Sequence, residues 1–287
     1  MRIHHLNCGS MCPFGRRFFH GTGGVFEMGD VVCHCLLIES EAGLVLVDAG
    51  LSTSDLDPKR SRVPLIIRAA LRPVMRPAQS ALAQVRELGF SAKDVRHIVL
   101  THLDFDHAGG ISDFPEASVH VFADEHRAAM SPPTFAERRR YLQHCWSHAP
   151  RWQIHELAGD AFYGFESVRA LTAKETDILL VPVQGHSRGH VAVAVRQGSG
   201  YLVHCGDAYF HHDEMNEPAS CPVGFRAFQT MMAQDDSLRL KNQDRLRALK
   251  HAHPANLTLF SAHDALELER LRNAPAQPQR TAQSVSA

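Results

Sequence analysis

The chain has 287 residues, 44% hydrophobic and 21% charged, which is enough apolar material for one large core and excludes a disordered or collagen-like protein. Lys and Arg number 30 against 31 Asp and Glu, a formal net charge of -1, so the overall balance points to no nucleic-acid or anionic-membrane partner. No stretch reaches the roughly 18 apolar residues that a membrane span needs.

The first regular feature is VVCHCLLIESEAGLVLVDAG at 31–50, which reads as an apolar hairpin with a polar turn at Glu39–Gly43 and Asp48 leaving its second strand. Before it, residues 7–15 read as a loop. Between Asp55 and Arg76, four prolines (58, 64, 73 and 77 just beyond) amid basic residues predict a surface excursion with short helical turns. Leu82, Val85 and Leu88 repeat at helical spacing up to Gly89, and a strand over 96–100 then delivers Thr101-His102. A strand over 118–122 and a helix from Asp124 follow. Residues 131–150 look like a helical insertion bounded by prolines, with Arg138–Arg140 read as a solvated helix face. Strands are predicted over 178–183, 191–195 and 201–204, then a charged helix over 235–252, a strand over 256–260 and a helix over 266–271. The tail 273–287, rich in Ala, Pro, Gln and Ser, is expected to be disordered.

Histidine, with 20 residues, is the outlying entry in the composition, and it is the commonest metal ligand. Thr101-His102-Leu103-Asp104-Phe105-Asp106-His107-Ala108-Gly109-Gly110 places four candidate ligands within six positions just after a strand. Crowded there without a cation, they would desolvate and repel one another, whereas a divalent metal makes each a favourable contact. Seven cysteines are an odd number, and Met1-Arg2-Ile3-His4-His5 lacks the apolar core of a signal peptide, so a reduced, cytoplasmic protein is expected. Cys8, Cys12, Cys33 and Cys35 lack paired zinc-ligand spacing. Cys33 and Cys35 read as small buried hydrophobes on one strand face.

The ligand-dense segment resembles the His-x-His-x-Asp-His signature of the metallo-β-lactamase-fold hydrolases. Other landmarks are similar and in order: Asp48 after the hairpin, Gly185-His186-Ser187-Arg188-Gly189-His190, Gly206-Asp207-Ala208, and Ser261-Ala262-His263-Asp264. The resemblance covers about residues 1–272. It implies one domain of the α/β class, a four-layer αβ/βα sandwich of two mixed sheets with helices outside. It also implies two divalent metal ions, one held by His102, Asp104 and His186, the other by Asp106, His107 and His263, with Asp207 bridging. Asp104 stands where most members have histidine. Zinc follows from the family, whereas a harder, charged ligand at 104 favours iron or manganese. A single metal, with Asp104 turned away, is the other reading.

Within the family the chain looks most like the acyl-homoserine-lactone lactonases, which implies a metal-bridging hydroxide opening a lactone or similar activated ester. Asp106 and Tyr209 are the expected catalytic residues, with Phe210 in the slot that these enzymes give to tyrosine. Met11 and Phe14 are expected to join Tyr209 and Phe210 against the substrate, and Asp48 and His190 to brace the ligands from behind. The expected partner is a small molecule, with neither nucleic acid nor membrane, and a homodimer is left open. The alternatives are a glyoxalase II-like thioesterase, for which the basic residues between 60 and 76 are the only glutathione site on offer, and a non-catalytic metal-dependent sensor or binding module.

Overall fold

The computed structural model describes residues 1–41, 43–173 and 176–274. The first sheet runs in chain order: β1 (Arg2–Met11), β2 (Val31–Ser40), β3 (Gly43–Val47), β4 (Val95–Val99), β5 (Ser118–Phe122) and β6 (Arg151–His155). β1 to β3 are an antiparallel meander, and β3 to β6 are parallel. The second sheet contains β7 (Asp160–Phe162), β8 (Phe165–Ala173), β9 (Thr176–Pro182), β10 (Val191–Gln197), β11 (Gly200–His204) and β12 (Leu257–Phe260), in the order β12-β11-β10-β9-β8-β7. Among the described residues, only β11 and β12 pair in parallel there. Both sheets are therefore mixed.

Alternation along the strands explains the layers. Leu36, Ile38, Val45 and Val47 of the first sheet meet Ile178, Leu180, Val191, Val193 and Val195 of the second. The intervening residues point outward and are covered too. Leu37, Leu46 and Ile98 pack under Val85 and Ala129 of the helices Ala81–Glu87 and Ala123–Met130, while Leu179, Val181 and Ala192 pack under Leu246 and Leu249 of the helix Asp236–Ala252. Strands buried on both faces read as continuous apolar runs, which is why these were visible in the sequence. Truncating Leu36 or Ile38, both at 0% exposure, to alanine would cost about 2–5 kcal/mol.

Residues 7–11 belong to β1 and not to a loop, a correction to the sequence reading. The segment 131–150 holds the helix Phe135–Arg140 and a 3-10 turn at Gln143–Trp146. The predicted disordered tail lies outside the described residues from 275 onward.

The strand ends that matter lie at one edge. Asp48 follows β3, Thr101-His102 follows β4, His186 follows β9, Asp207 follows β11 and His263 follows β12. Backbone bonds sew the two sheets together at that edge, Val191 N to Thr101 O (3.0 Å) and His34 N to Ala262 O (2.8 Å), while Ala49 N to His107 O (2.8 Å) ties the ends of β3 and β4 within the first sheet. Gly110 sits where a side chain would strike the Ala49 carbonyl, and its φ is not positive, so this glycine serves close packing.

Candidate metal centre

Seven side chains converge behind these strand ends. Ligand atoms of His102, Asp104, His186 and Asp207 all lie within 4.8 Å of one another, and so do those of His107, Asp207 and His263. Asp207 is common to both groups. His186 Nε2 is 3.2 Å from Asp207 Oδ2, and His107 Nε2 and His263 Nε2 are each 3.1 Å from Asp207 Oδ1. Asp106 Oδ2 lies 3.7 Å from His263 Nε2 and 3.9 Å from His107 Nε2.

The imidazoles are oriented from behind. His107 Nδ1 donates to Asp48 Oδ2 at 2.7 Å, and His263 Nδ1 donates to the Val32 carbonyl at 2.7 Å, so each turns Nε2 inward. Asp48 also accepts from Thr101 N and Thr101 Oγ1, each at 2.8 Å, and the Thr101 oxygen in turn lies 3.0 Å from His102 Nδ1. Asp48 holds this position with φ at 54°, a left-handed conformation that aspartate tolerates better than most residues. His190 is placed differently from a ligand brace. Its Nε2 accepts the Asp207 backbone N–H at 2.9 Å and its Nδ1 donates to Val183 O at 3.2 Å, so it fixes the backbone under Asp207.

The donor set fits divalent metal. His102 Nε2, His107 Nε2 and Asp207 Oδ1 are buried with no hydrogen-bond partner among the described residues, and such atoms are costly unless something else is bound to them. Burial, reinforced by Asp207 and Asp104, pushes the Asp106 carboxyl up against the pull of His107 and His263. Burial, with Arg140 nearby, brings His186 down to about 3, so its imidazole is neutral and available as a ligand.

Arg140 is the residue that sequence reasoning missed. Arg138 and Arg139 are exposed as expected, but the Arg140 side chain is only 9% exposed and grips Asp104 with both arms, Nε to Oδ1 at 2.6 Å and Nη2 to Oδ2 at 2.7 Å. The reading of the triplet as a solvated face is thus corrected at its last member. Burial works against the Asp104 charge, but Arg140, His102 and His186 outweigh it and hold the carboxyl well below its usual range. Glu125 was also missed, and no local pattern marks it. It is wholly buried and accepts from Leu103 N (3.0 Å), Tyr141 Oη (3.1 Å), Ser187 Oγ (2.6 Å) and Gly189 N (3.0 Å).

The expected substrate contacts separate. Met11 and Phe210 join Val31, Cys33 and Phe225 in an apolar cluster, with Phe105 packed against it. Phe210 lies over His263, ring centroids 4.7 Å apart and 25° from parallel. Cys33, read as a small buried hydrophobe, is in that wall and also has Sγ within 4.8 Å of ligand atoms of Asp106 and His263. Tyr209 faces away, a correction: its ring packs in the outer core of the second sheet and its hydroxyl donates to Glu267, 3.0–3.1 Å from both oxygens. Phe14 stays outside the wall, 57% exposed with the Arg72 guanidinium 4.4 Å from its ring centre.

With this geometry in place, comparison with known proteins is decisive for the family. The sequence matches the metallo-beta-lactamase superfamily over residues 28–253. The chain belongs to the metallo-β-lactamase superfamily. Among its relatives is a Mycobacterium tuberculosis protein named as a probable metallo-hydrolase, Rv2300c, 41% identical over 265 residues that span 92% of this chain and 80% of that one. The N-acyl homoserine lactonase AttM of Agrobacterium fabrum is 29% identical over 278 residues, covering 96% of this chain and 97% of AttM. In fold the chain resembles an N-acyl homoserine lactone hydrolase solved with N-hexanoyl-L-homoserine at its catalytic metal centre. That likeness has a TM-score of 0.69 at 19% identity and covers 93% of this chain and 95% of that one. Among the described residues no helix is long and apolar enough to cross a membrane.

Proposed function

We propose that this superfamily member is a dinuclear metal-dependent hydrolase that opens a lactone or similar activated ester. The observation that carries the reading is the pair of inward-facing donor groups sharing Asp207, set beside an apolar wall. His102, Asp104 and His186 would hold one metal, Asp106, His107 and His263 the other, and Asp207 both. Zinc is the proposed ion, because four imidazoles contribute and the charge of Asp104, which would favour iron or manganese, is matched by Arg140. When bound, such a pair supplies an activated water and Lewis acidity toward a carbonyl and its leaving oxygen.

The chain's own residues have distinct tasks in this scheme. Met11, Val31, Phe210 and Phe225 offer an apolar face to an acyl group and keep water from that side. Asp106, whose carboxylate lies 3.7 Å from His263 and 3.9 Å from His107 at the centre, is placed to take a proton from the attacking water and return it to the oxygen that leaves the opened ring. Tyr209 has no part, since its hydroxyl is bonded to Glu267.

The test is a panel of acyl-homoserine lactones, thioesters and phosphodiesters assayed with protein of measured metal content. Lactone turnover that falls at least a hundred-fold in Asp207→Asn and His107→Ala is expected, about the upper end of what even a supporting residue costs. Full activity in either variant, or turnover confined to phosphodiesters, overturns the reading. The alternative of a metal-dependent binding module would show as full metal content without turnover of any class.

A further inference from the structure

We propose that Asp104 and Arg140 act as one unit in place of a ligand imidazole, and that Arg140 positions the carboxylate and thereby sets metal affinity in the half-site of His102, Asp104 and His186. This rests on the dinuclear reading above.

The guanidinium makes four bonds. Nε and Nη2 form a fork on the two Asp104 oxygens, the geometry in which arginine binds carboxylates most strongly. Nη1 donates to the His186 carbonyl at 2.7 Å and to the Met232 carbonyl at 3.0 Å. Those two backbone bonds anchor the arginine independently of Asp104, and the first ties it to another proposed ligand. The helix that carries it is pinned to the same loop a second time, by Arg188 Nε on Glu137 Oε1 at 2.6 Å. Thr134 Oγ1 caps that helix by accepting Glu137 N at 3.2 Å.

So held, the carboxylate still faces the centre. Asp104 Oδ2 is 3.2 Å from His186 Nε2 and 3.3 Å from His102 Nε2, so three donor atoms look toward one point. Histidine at 104 would bring no charge. Aspartate brings one negative charge and Arg140 cancels it, so the half-site keeps the balance of a neutral ligand. A carboxylate shared with a guanidinium is also a weaker donor than a free one, which makes this the more readily emptied half. Arg140 touches no reacting atom and is a positioning residue.

The experiment measures zinc equivalents per chain after dialysis, and zinc affinities by chelator competition, for the wild type, Arg140→Met, Arg140→Lys, Asp104→His and the double variant Asp104→His/Arg140→Met. Near-ultraviolet circular dichroism follows folding. The wild type is expected to bind two equivalents, one weaker. Arg140→Met is expected to lose at least ten-fold in the weaker one alone, and lysine, a point charge without a fork, to restore it in part. The double variant is expected to regain two equivalents, because histidine needs no arginine, whereas Asp104→His alone leaves a buried cation unmatched and binds less well. Two unchanged equivalents in Arg140→Met, or a double variant no better than Arg140→Met, overturns the unit. A wild type holding a single zinc that Arg140→Met does not weaken overturns it too, since Arg140 would then be locking Asp104 away. Failure of the dinuclear reading itself would look different: zinc content indifferent to Asp207→Asn and His107→Ala.

Discussion

In the half of the centre formed by Asp106, His107 and His263, the imidazoles are held by the sandwich itself, through Asp48 at the end of β3 and the Val32 carbonyl within β2. In the half formed by His102, Asp104 and His186, support comes from a loop threonine, from the insertion 131–150 through Arg140, and from Glu125 behind the loops. His186 Nδ1 has no partner at all among the described residues. A ligand braced by core strands can move only if the core moves, whereas one braced by an insertion can be retuned by changing the insertion. The departure from the usual ligand falls in the second kind of half, and so does the residue that compensates it.

The sharpest way to break this comparison is Asp48→Asn. An amide offers one acceptor oxygen to three donors, so His107 loses its orientation, and a 10–100-fold loss of metal affinity is expected in the core-braced half. Metal titration should show that equivalent weakened more than the other, which Asp48 reaches only through Thr101; equal weakening of both would mean that the halves are not separately supported. Phe210→Ala comes next. Removing the ring over His263 opens the apolar wall, and KM should rise about ten-fold for a long-chain acyl lactone and less for a short one, in line with what apolar contacts contribute to discrimination. A loss independent of chain length would assign Phe210 to His263 alone.

The smallest effects on activity lie away from the centre, at Tyr209 and Glu267. Tyr209→Phe should leave kcat within two-fold and lower stability by about 1–2 kcal/mol. Burial, with Asp264 adding repulsion, raises the Glu267 carboxyl from 4.5 to about 7. The folded protein holds this proton more tightly than the unfolded chain does. The resulting cost of ionisation is absent below pH 4.5, grows as pH rises and is complete above about 7, on the order of 3 kcal/mol. Glu267→Gln should therefore melt higher than the wild type at pH 8 and converge with it near pH 5. Parallel Tm curves would show that Glu267 does not carry this dependence.

The cluster of histidines and aspartates was legible because most of it is local. His102, Asp104, Asp106 and His107 share one segment, and His186, Asp207 and His263 each come after an apolar strand, the first two directly behind a glycine. Arg140 was not legible, because its partner is 36 residues away and its two neighbours in the triplet are solvated. β1 was missed for a different reason. It is an edge strand with His4, His5, Asn7 and Gly9 in its interior and an irregular register between Asn7 and Ser10, so neither composition nor alternation marked it. Tyr209 was misjudged because adjacent residues point to opposite sides: after Gly206, at φ 52°, Tyr209 enters the outer core and Phe210 faces the centre.

Glu125 has a consequence for motion. One carboxylate receives donors from the loop after β4, the loop after β9 and, through Tyr141, the insertion. The amides of Leu103 and Gly189 lie outside regular strands, yet they can exchange with solvent only when this shared acceptor is released. Their exchange should be slow and correlated, following a single opening event in which both ligand loops and the insertion let go together. Hydrogen exchange would then report the two loops as one cooperative body with the interior, slower than the exposed edge strand β6.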